Sequence, residues 1–232
     1  MFDTFDNYQE EEIQNPFSLS IGDLMAALLL IFILLLASTL LRLQDEFENK
    51  TQIAERYTAI KDDIYNSLKS EFDKEINSGK LTIHKENLMI RFSPELKFAT
   101  DETILTRDFK QTLVDFFPRY IDIIARPEFQ SNIEEIRIEG HTDDQASYIY
   151  NMELSQARTR SVLAFVLDST KYNNKYRGWV QDNLTANGLS FSKPITENNT
   201  VQGRKQNRRV EFKLRTNAEQ QLEEILKLNI NE

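Results

Sequence analysis

Residues 17–41 read FSLSIGDLMAALLLIFILLLASTLL, and within them Leu24 to Ala37 is unbroken apolar sequence. In a chain that is 28% charged, this stretch holds one ionisable side chain, Asp23. As a helix it would extend about 37 Å at ~1.5 Å per residue, enough to cross a hydrocarbon core roughly 30 Å thick with some tilt. A cleaved secretory signal fits less well. The preceding flank carries Asp3, Asp6, Glu10, Glu11 and Glu12 with no Lys or Arg, and the apolar run exceeds the roughly 7–15 residues of a signal core. A buried soluble helix is the other possibility, but about 14 successive apolar residues without a polar face are rare outside membranes. The pattern predicts a retained transmembrane helix over 17–41, after an acidic tail over 1–16.

The remaining composition bounds the rest. The 232 residues carry a net charge of −9, which argues against a protein built to coat nucleic acid. With no Cys there is no disulfide framework, no thiol nucleophile and no Cys-ligated zinc site.

Asp23 lies about 9 Å along the helix from Phe17. A carboxylate in the membrane costs on the order of 2.5–3.5 kcal/mol at the helix centre, and less toward the interface. Two readings stand. Asp23 sits at headgroup level, or it faces a protein-lined cavity as an ion carrier, with Ser20 and Gly22 letting a neighbouring helix approach closely.

From 42 to 79 the chain reads as a helical linker. Phe47, Ile53, Tyr57, Ile60, Ile64, Leu68, Phe72 and Ile76 recur at helical spacing, and Asn77-Ser78-Gly79 is the expected stop. The apolar stripe is either a dimer contact or a face packed on the C-terminal domain.

Residues 80–216 change pattern. Strands are expected at Leu81–Ile83, Leu88–Phe92, Ile133–Glu139, Leu184–Leu189 and Arg209–Arg215, with helices over Ile104–Ile124 and Asn151–Leu167. This predicts an α+β protein: a single transmembrane helix, a helical linker and a C-terminal α/β sandwich of β-α-β-α-β-β type. A helical tail is expected over 217–232. Three segments carry polar chemistry: Ile138-Glu-Gly-His-Thr-Asp143 at a strand end, Asn151 to Arg158 on a helix, and Gly203 to Glu211, in which Asn207-Arg208-Arg209 is expected as a loop. Asn151 and Arg158 are two helical turns apart and share a face. Converging, the three would set an acid beside arginines, a site suited to a zwitterion: a carboxylate takes an ammonium, and an arginine fork takes a carboxylate.

Other chemistries are weaker. Arg204, Lys205, Arg208 and Arg209 lack the aromatic interleaving of a nucleic-acid patch. His141, Asp143 and Asp144 offer metal-ligand types, but the chain has only two His. There is no Ser–His–acid constellation, so no enzyme, cofactor or resident metal is expected.

The segment around Asp23 resembles the membrane helix of the flagellar stator protein MotB and its relatives, in which an Asp followed by Leu-Met and an apolar run carries protons or sodium ions. Phe17 stands where the flagellar pattern has Trp, and the leading tail is acidic instead of basic. The motifs EGHTD, N…LSQAR, GLSFSKP followed by Asn198, and GRKQNRRVEF resemble the OmpA-like peptidoglycan-binding domain over about residues 81–216. The resemblance implies that Asp143 and Arg158 clasp the diaminopimelate of the stem peptide, with Thr142, Asn151, Asn207 and Arg208 in supporting positions. The turn TDDQAS lacks the family's usual Gly. Among stator relatives the acidic tail and long linker most resemble the ZorB family of the Zorya anti-phage systems. The family implies two copies of the chain, a homodimer, inside a ring of five MotA- or ZorA-like multi-spanning subunits, and a linker that includes a plug. It also implies a cytoplasmic N-terminus and a periplasmic domain at the bacterial inner membrane. The positive-inside rule disagrees, since Arg42, Lys50 and Arg56 follow the span and no cation precedes it.

Overall fold

The computed structural model describes residues 16–93 and 103–217. The acidic tail up to residue 15 and the expected helical tail beyond Asn217 lie outside the described residues. The chain divides into two compact units, Met1–Gln52 and Ile53–Glu232.

A long helix, α1 (Pro16–Glu71), begins in the first unit. Its residues from Leu28 to Leu36 are exposed on every side. Helix α1 is long and apolar enough to cross a membrane, because an apolar surface without a polar face has lipid as its natural solvent. Thr39 donates its hydroxyl to Leu35 O at 2.8 Å, so even this polar side chain is satisfied within the helix. Asp23 is exposed in the single chain.

In the second unit, α1 ends at Glu71 and α2 (Asp73–Asn77) follows almost directly. The bonds Phe72 N to Leu68 O (3.0 Å) and Ile76 N to Phe72 O (2.9 Å) carry the helical ladder across the break. Gly79, at φ +69°, ends it where the sequence predicts, in a left-handed conformation that costs glycine nothing. Strands β1 (Leu81–His84) and β2 (Met89–Phe92) form a hairpin. Helices α3 (Arg107–Ile124) and α4 (Pro127–Gln130) precede β3 (Ile133–His141), and α5 (Tyr148–Ser169) and α6 (Arg177–Asn183) precede β4 (Leu184–Gly188). Helix α7 (Val201–Asn207) leads into β5 (Arg209–Thr216).

The sheet order is β1-β2-β5-β3-β4, with β3 and β4 parallel and the other pairs antiparallel. A parallel pair needs a long crossover, and α5 and α6 supply it. The α+β class holds, with a hairpin at the start of the domain. Two boundaries differ from expectation because side chains cap earlier or later than periodicity suggests. Thr106 accepts from Phe109 N (3.2 Å), so α3 starts after Leu105; Ser147 accepts from Tyr150 N (3.3 Å), so α5 starts at Tyr148. The expected Asn207-Arg208-Arg209 loop is shorter than the sequence suggests: Asn207 closes α7, which Thr200 caps by accepting from Gly203 N at 2.9 Å, and Arg209 opens β5, leaving Arg208 between them.

The core lies between one sheet face and the helices. Phe116 of α3 is its centre, 5.1 Å from Phe72, 5.0 Å from Phe92 and 5.4 Å from Phe212 between ring centroids. Ile64, Leu68 and Phe72 are fully buried here. Of the two occupants that the sequence leaves open for the stripe, these three positions take the domain's own core, while Phe47 is 71% exposed. Arg119 of α3 fastens the junction, donating to Glu71 Oε1 and Glu75 Oε1 at 2.6 Å each while its guanidinium lies 4.6 Å over the Phe72 ring.

Leu68→Ala in the detergent-solubilised full chain is expected to destabilise the domain by about 2–5 kcal/mol, the usual cost of a large-to-small core substitution. Urea unfolding followed by the fluorescence of Trp179, which packs on the core, measures it. An unchanged midpoint with an altered oligomer would instead assign Leu68 to a dimer contact.

Candidate functional site

The site is built on a close approach of α5 to the parallel strands. Along α5 the buried face is Asn151, Ser155, Arg158, Thr159, Val162 and Val166, a helical stripe that turns polar toward its N-terminus. It meets the sheet at Gly140 and Gly188, which are register partners on β3 and β4. A Cβ on Gly188 would lie 2.3 Å from Gln156 N and 2.6 Å from Ser155 Oγ, and one on Gly140 would lie 2.9 Å from Ser155 O. Only hydrogen fits between these backbones.

Hydrogen bonds then lace the helix to the strand ends. Ser190, at φ +51°, donates its N–H to Ser155 Oγ (3.0 Å) and its hydroxyl to Tyr148 O (3.1 Å). Thr142 N donates to Ser190 O (2.9 Å), and Leu189 N to Gly140 O (2.9 Å). The His141-Thr142-Asp143 turn is thereby tied to the helix that carries Arg158.

The expected site residues can now be placed. Asp143 is buried, and its Oδ2 accepts from Arg208 Nη1 at 2.5 Å while its Oδ1 accepts from Gln145 N at 3.3 Å. The Asp143–Arg208 pair is a direct contact within the expected set. Thr142 is buried, and its hydroxyl has no hydrogen-bond partner among the described residues. Asn151 is buried and donates to Ala146 O at 3.1 Å, bracing the turn that follows Asp143. Arg158 is 5% exposed, on the α5 face that holds Asn151 and Ser155.

Asn207 works differently. Its Oδ1 accepts from Ile195 N (2.8 Å) and Thr196 N (3.2 Å), and its Nδ2 donates to Thr196 O (2.7 Å) and Asn198 Oδ1 (2.8 Å). All four of its hydrogen-bonding positions are used. Its support reaches the site through the loop that it staples, immediately before Arg208.

Sequence reasoning did not single out the network beneath the turn. The β3–β5 register sets His141 beside Arg209 and Glu139 beside Glu211 on the sheet face away from the helices. Alternation in the two strands was the available signal. Glu211 Oε1 accepts from Arg209 Nε (2.7 Å) and Arg91 Nε (2.6 Å). Burial alone would raise the Glu211 carboxyl, but His141, Arg209 and Arg91 outweigh it and hold it far below the usual range. His141 Nε2 lies 3.4 Å from Glu211 Oε2 without the alignment of a hydrogen bond. Burial lowers the His141 pKa despite the two carboxylates it faces.

Glu139, His141 and Glu211 are also the one group among the described residues whose ligand-type atoms gather within 4.8 Å. Glu211 is paired with Arg209 and Arg91, and Glu139 with Arg137 at 3.6 Å, so a divalent cation would enter as uncompensated buried charge. The cluster is an ion-pair network under the turn.

These features coincide with those of known proteins. Residues 97–208 match the sequence model of the OmpA family. A MotB-like protein from Desulfovibrio vulgaris is 25% identical, with a TM-score of 0.54 over 70% of this chain and 98% of that one. The chain is thus a MotB-like protein: an apolar N-terminal helix followed by an OmpA-like domain. Zorya protein ZorB of Escherichia coli strain Crooks is 35% identical over 226 residues, 94% of this chain and 95% of that protein. A second ZorB, from Escherichia coli O139:H28, is 24% identical over 89% of this chain and 82% of its own length. The chain belongs to the ZorB family.

The two histidines fix a pH dependence. Burial and Arg91 lower the His84 pKa as well. Below about 6.5, the ordinary imidazole value, the unfolded chain binds protons that the folded one refuses, so stability is full at pH 7 and falls as pH drops through 6.5. Glu211 adds its loss only in much stronger acid. His141→Gln is expected to flatten the decline between pH 7 and 5, leaving the share due to His84. An identical slope in urea unfolding would show that His141 does not resist protonation.

Proposed function

We propose that this chain is the peptidoglycan-anchored stator subunit of an ion-driven membrane complex. Asp23 carries the ion at an interface with a MotA- or ZorA-like multi-spanning partner, and the C-terminal domain grips diaminopimelate-type peptidoglycan on the periplasmic side of the inner membrane. The match to ZorB along nearly the whole chain carries this reading, because it takes in both the acid-bearing helix and the clasp. The site supports it chemically. Asp143 and Thr142, with its unsatisfied hydroxyl, share one turn, and that turn is tied through Ser190 to the helix on which Arg158 is buried. A carboxylate, a hydroxyl and an arginine are the donor and acceptor types for a ligand with neighbouring ammonium and carboxylate groups.

One helix cannot enclose an ion path, so a partner ring is required, five subunits around two copies of this chain in the arrangement the family implies. Ion passage down 100 mV supplies about 2.3 kcal/mol per charge. Peptidoglycan lies outside the inner membrane, which favours a cytoplasmic tail over the orientation that charge alone suggests. The relationship to ZorB supports a role in anti-phage defence; a flagellar-type motility stator is the alternative.

Asp23→Asn and Asp143→Ala, each in the full chain with its partner, test the two halves together. Asp23→Asn should still co-purify with the partner and lose protection against phage in plaque assays, since the amide keeps the shape without the ionisable group. Asp143→Ala should lose at least about thirtyfold in binding to purified sacculi, the low end of breaking a desolvated charge pair. Full protection by Asp23→Asn with loss in Asp143→Ala would make the chain a passive tether.

A further inference from the structure

Asp143 is already occupied. Its Oδ2 accepts from Arg208 Nη1 at 2.5 Å and its Oδ1 from the backbone of Gln145. The two partners differ in freedom. The Asp143 side chain is 12% exposed and set in the laced turn, whereas that of Arg208 is 36% exposed and follows the last residue of α7. Arg208 is the one that can swing. A ligand ammonium arriving at Asp143 meets a guanidinium in its place.

We propose that Arg208 is a built-in counter-ion which the ligand displaces from Asp143, and that this exchange selects stem peptides whose ammonium shares a carbon with a carboxylate. The inference rests on the peptidoglycan reading above. A diaminopimelate side chain brings both groups. Its ammonium replaces Arg208 at Asp143, and its carboxylate accepts from the released guanidinium, so every charge is paired again. A lysine side chain brings the ammonium alone. It leaves Arg208 without the partner it gave up, and that loss is subtracted from the binding. Discrimination therefore comes from a penalty on the wrong ligand as well as from contacts with the right one.

The sign of the Arg208 effect separates this from an ordinary contact. A residue that only holds the ligand weakens binding when removed. A displaced counter-ion, when removed, strengthens binding of the ligand that could not compensate it. Arg208→Gln should tighten binding of a lysine-containing muropeptide by about five- to tenfold, between the worth of an exposed and a buried pair. Binding of the diaminopimelate muropeptide should weaken or stay level, so the preference between the two narrows by at least that factor. Arg208→Lys keeps a cation at the position and should keep most of the preference.

Calorimetric titration of the full chain in detergent with the two purified monomeric muropeptides measures both affinities. Arg208 is partly exposed, and unfolding through Trp179 fluorescence confirms that each variant folds. Equal weakening of both ligands by Arg208→Gln, or an unchanged preference, overturns the exchange. If Asp143→Ala and Arg158→Ala abolish binding in that same case, the peptidoglycan site stands and only the role of Arg208 falls. If those two variants bind both muropeptides as the wild type does, the site reading itself fails.

Discussion

Everything at the site depends on how closely α5 lies on β3 and β4. At Gly188 a single added carbon would sit 2.3 Å from a backbone nitrogen of the helix, a distance that forces the layers apart. The contact does more than fill space. It brings Ser155 within reach of Ser190 N, and Ser190 holds both Tyr148 O and Thr142 N. A helix, a strand end and a loop are thereby locked into one frame, with Asp143 on the strand end and Arg158 on the helix. Groups carried on one frame lose little backbone freedom when a ligand binds between them, which lowers the entropic cost of binding.

Beneath this frame the outer face of the sheet carries a charge network. Glu211 bonded to Arg91 and Arg209, with His141 beside it, underpins the residue adjoining Thr142-Asp143. Buried ion pairs of this kind contribute little net stability, yet breaking one leaves an unpaired charge, so they penalise alternative placements of the turn. The aromatic cluster around Phe116 does the opposite work on the inner face, where burial of apolar area supplies the stability. Because Ile64, Leu68 and Phe72 join that cluster, the last turns of α1 belong energetically to the domain. Three large side chains and the Arg119 fork seal that end of the helix into the domain.

Much of this was legible in the residues. Alternation marked Ile133–Glu139 and Arg209–Arg215 as half-buried strands, because a side-chain period of two survives in any sheet with one covered face. The spacing of Asn151 and Arg158 put them on one helical face, and both are buried. The parts that were not legible depend on long-range partners. Periodicity showed that Ile64 and Leu68 face something apolar, but not whether it is a second chain or the domain. The polar run Asn207-Arg208-Arg209 suits a loop, yet Asn207 closes a helix that Thr200 caps and Arg209 opens β5. Asn207 was aligned with the site, and its amide is wholly committed to residues 195–198. Nothing local announces that Asp143 closes on Arg208, since the two are 65 positions apart.

If Asp143 accepts a ligand ammonium, as proposed, then removing that ammonium must remove binding. The most direct measurement changes the ligand and leaves the protein alone. Sacculi of the diaminopimelate type, treated to acetylate their free amines, retain the glycan and the carboxylates and lose the cation. The full-length chain in detergent should bind untreated sacculi and lose most of that binding after acetylation, because a buried carboxylate then faces a neutral amide. Equal retention on treated and untreated sacculi would contradict the account.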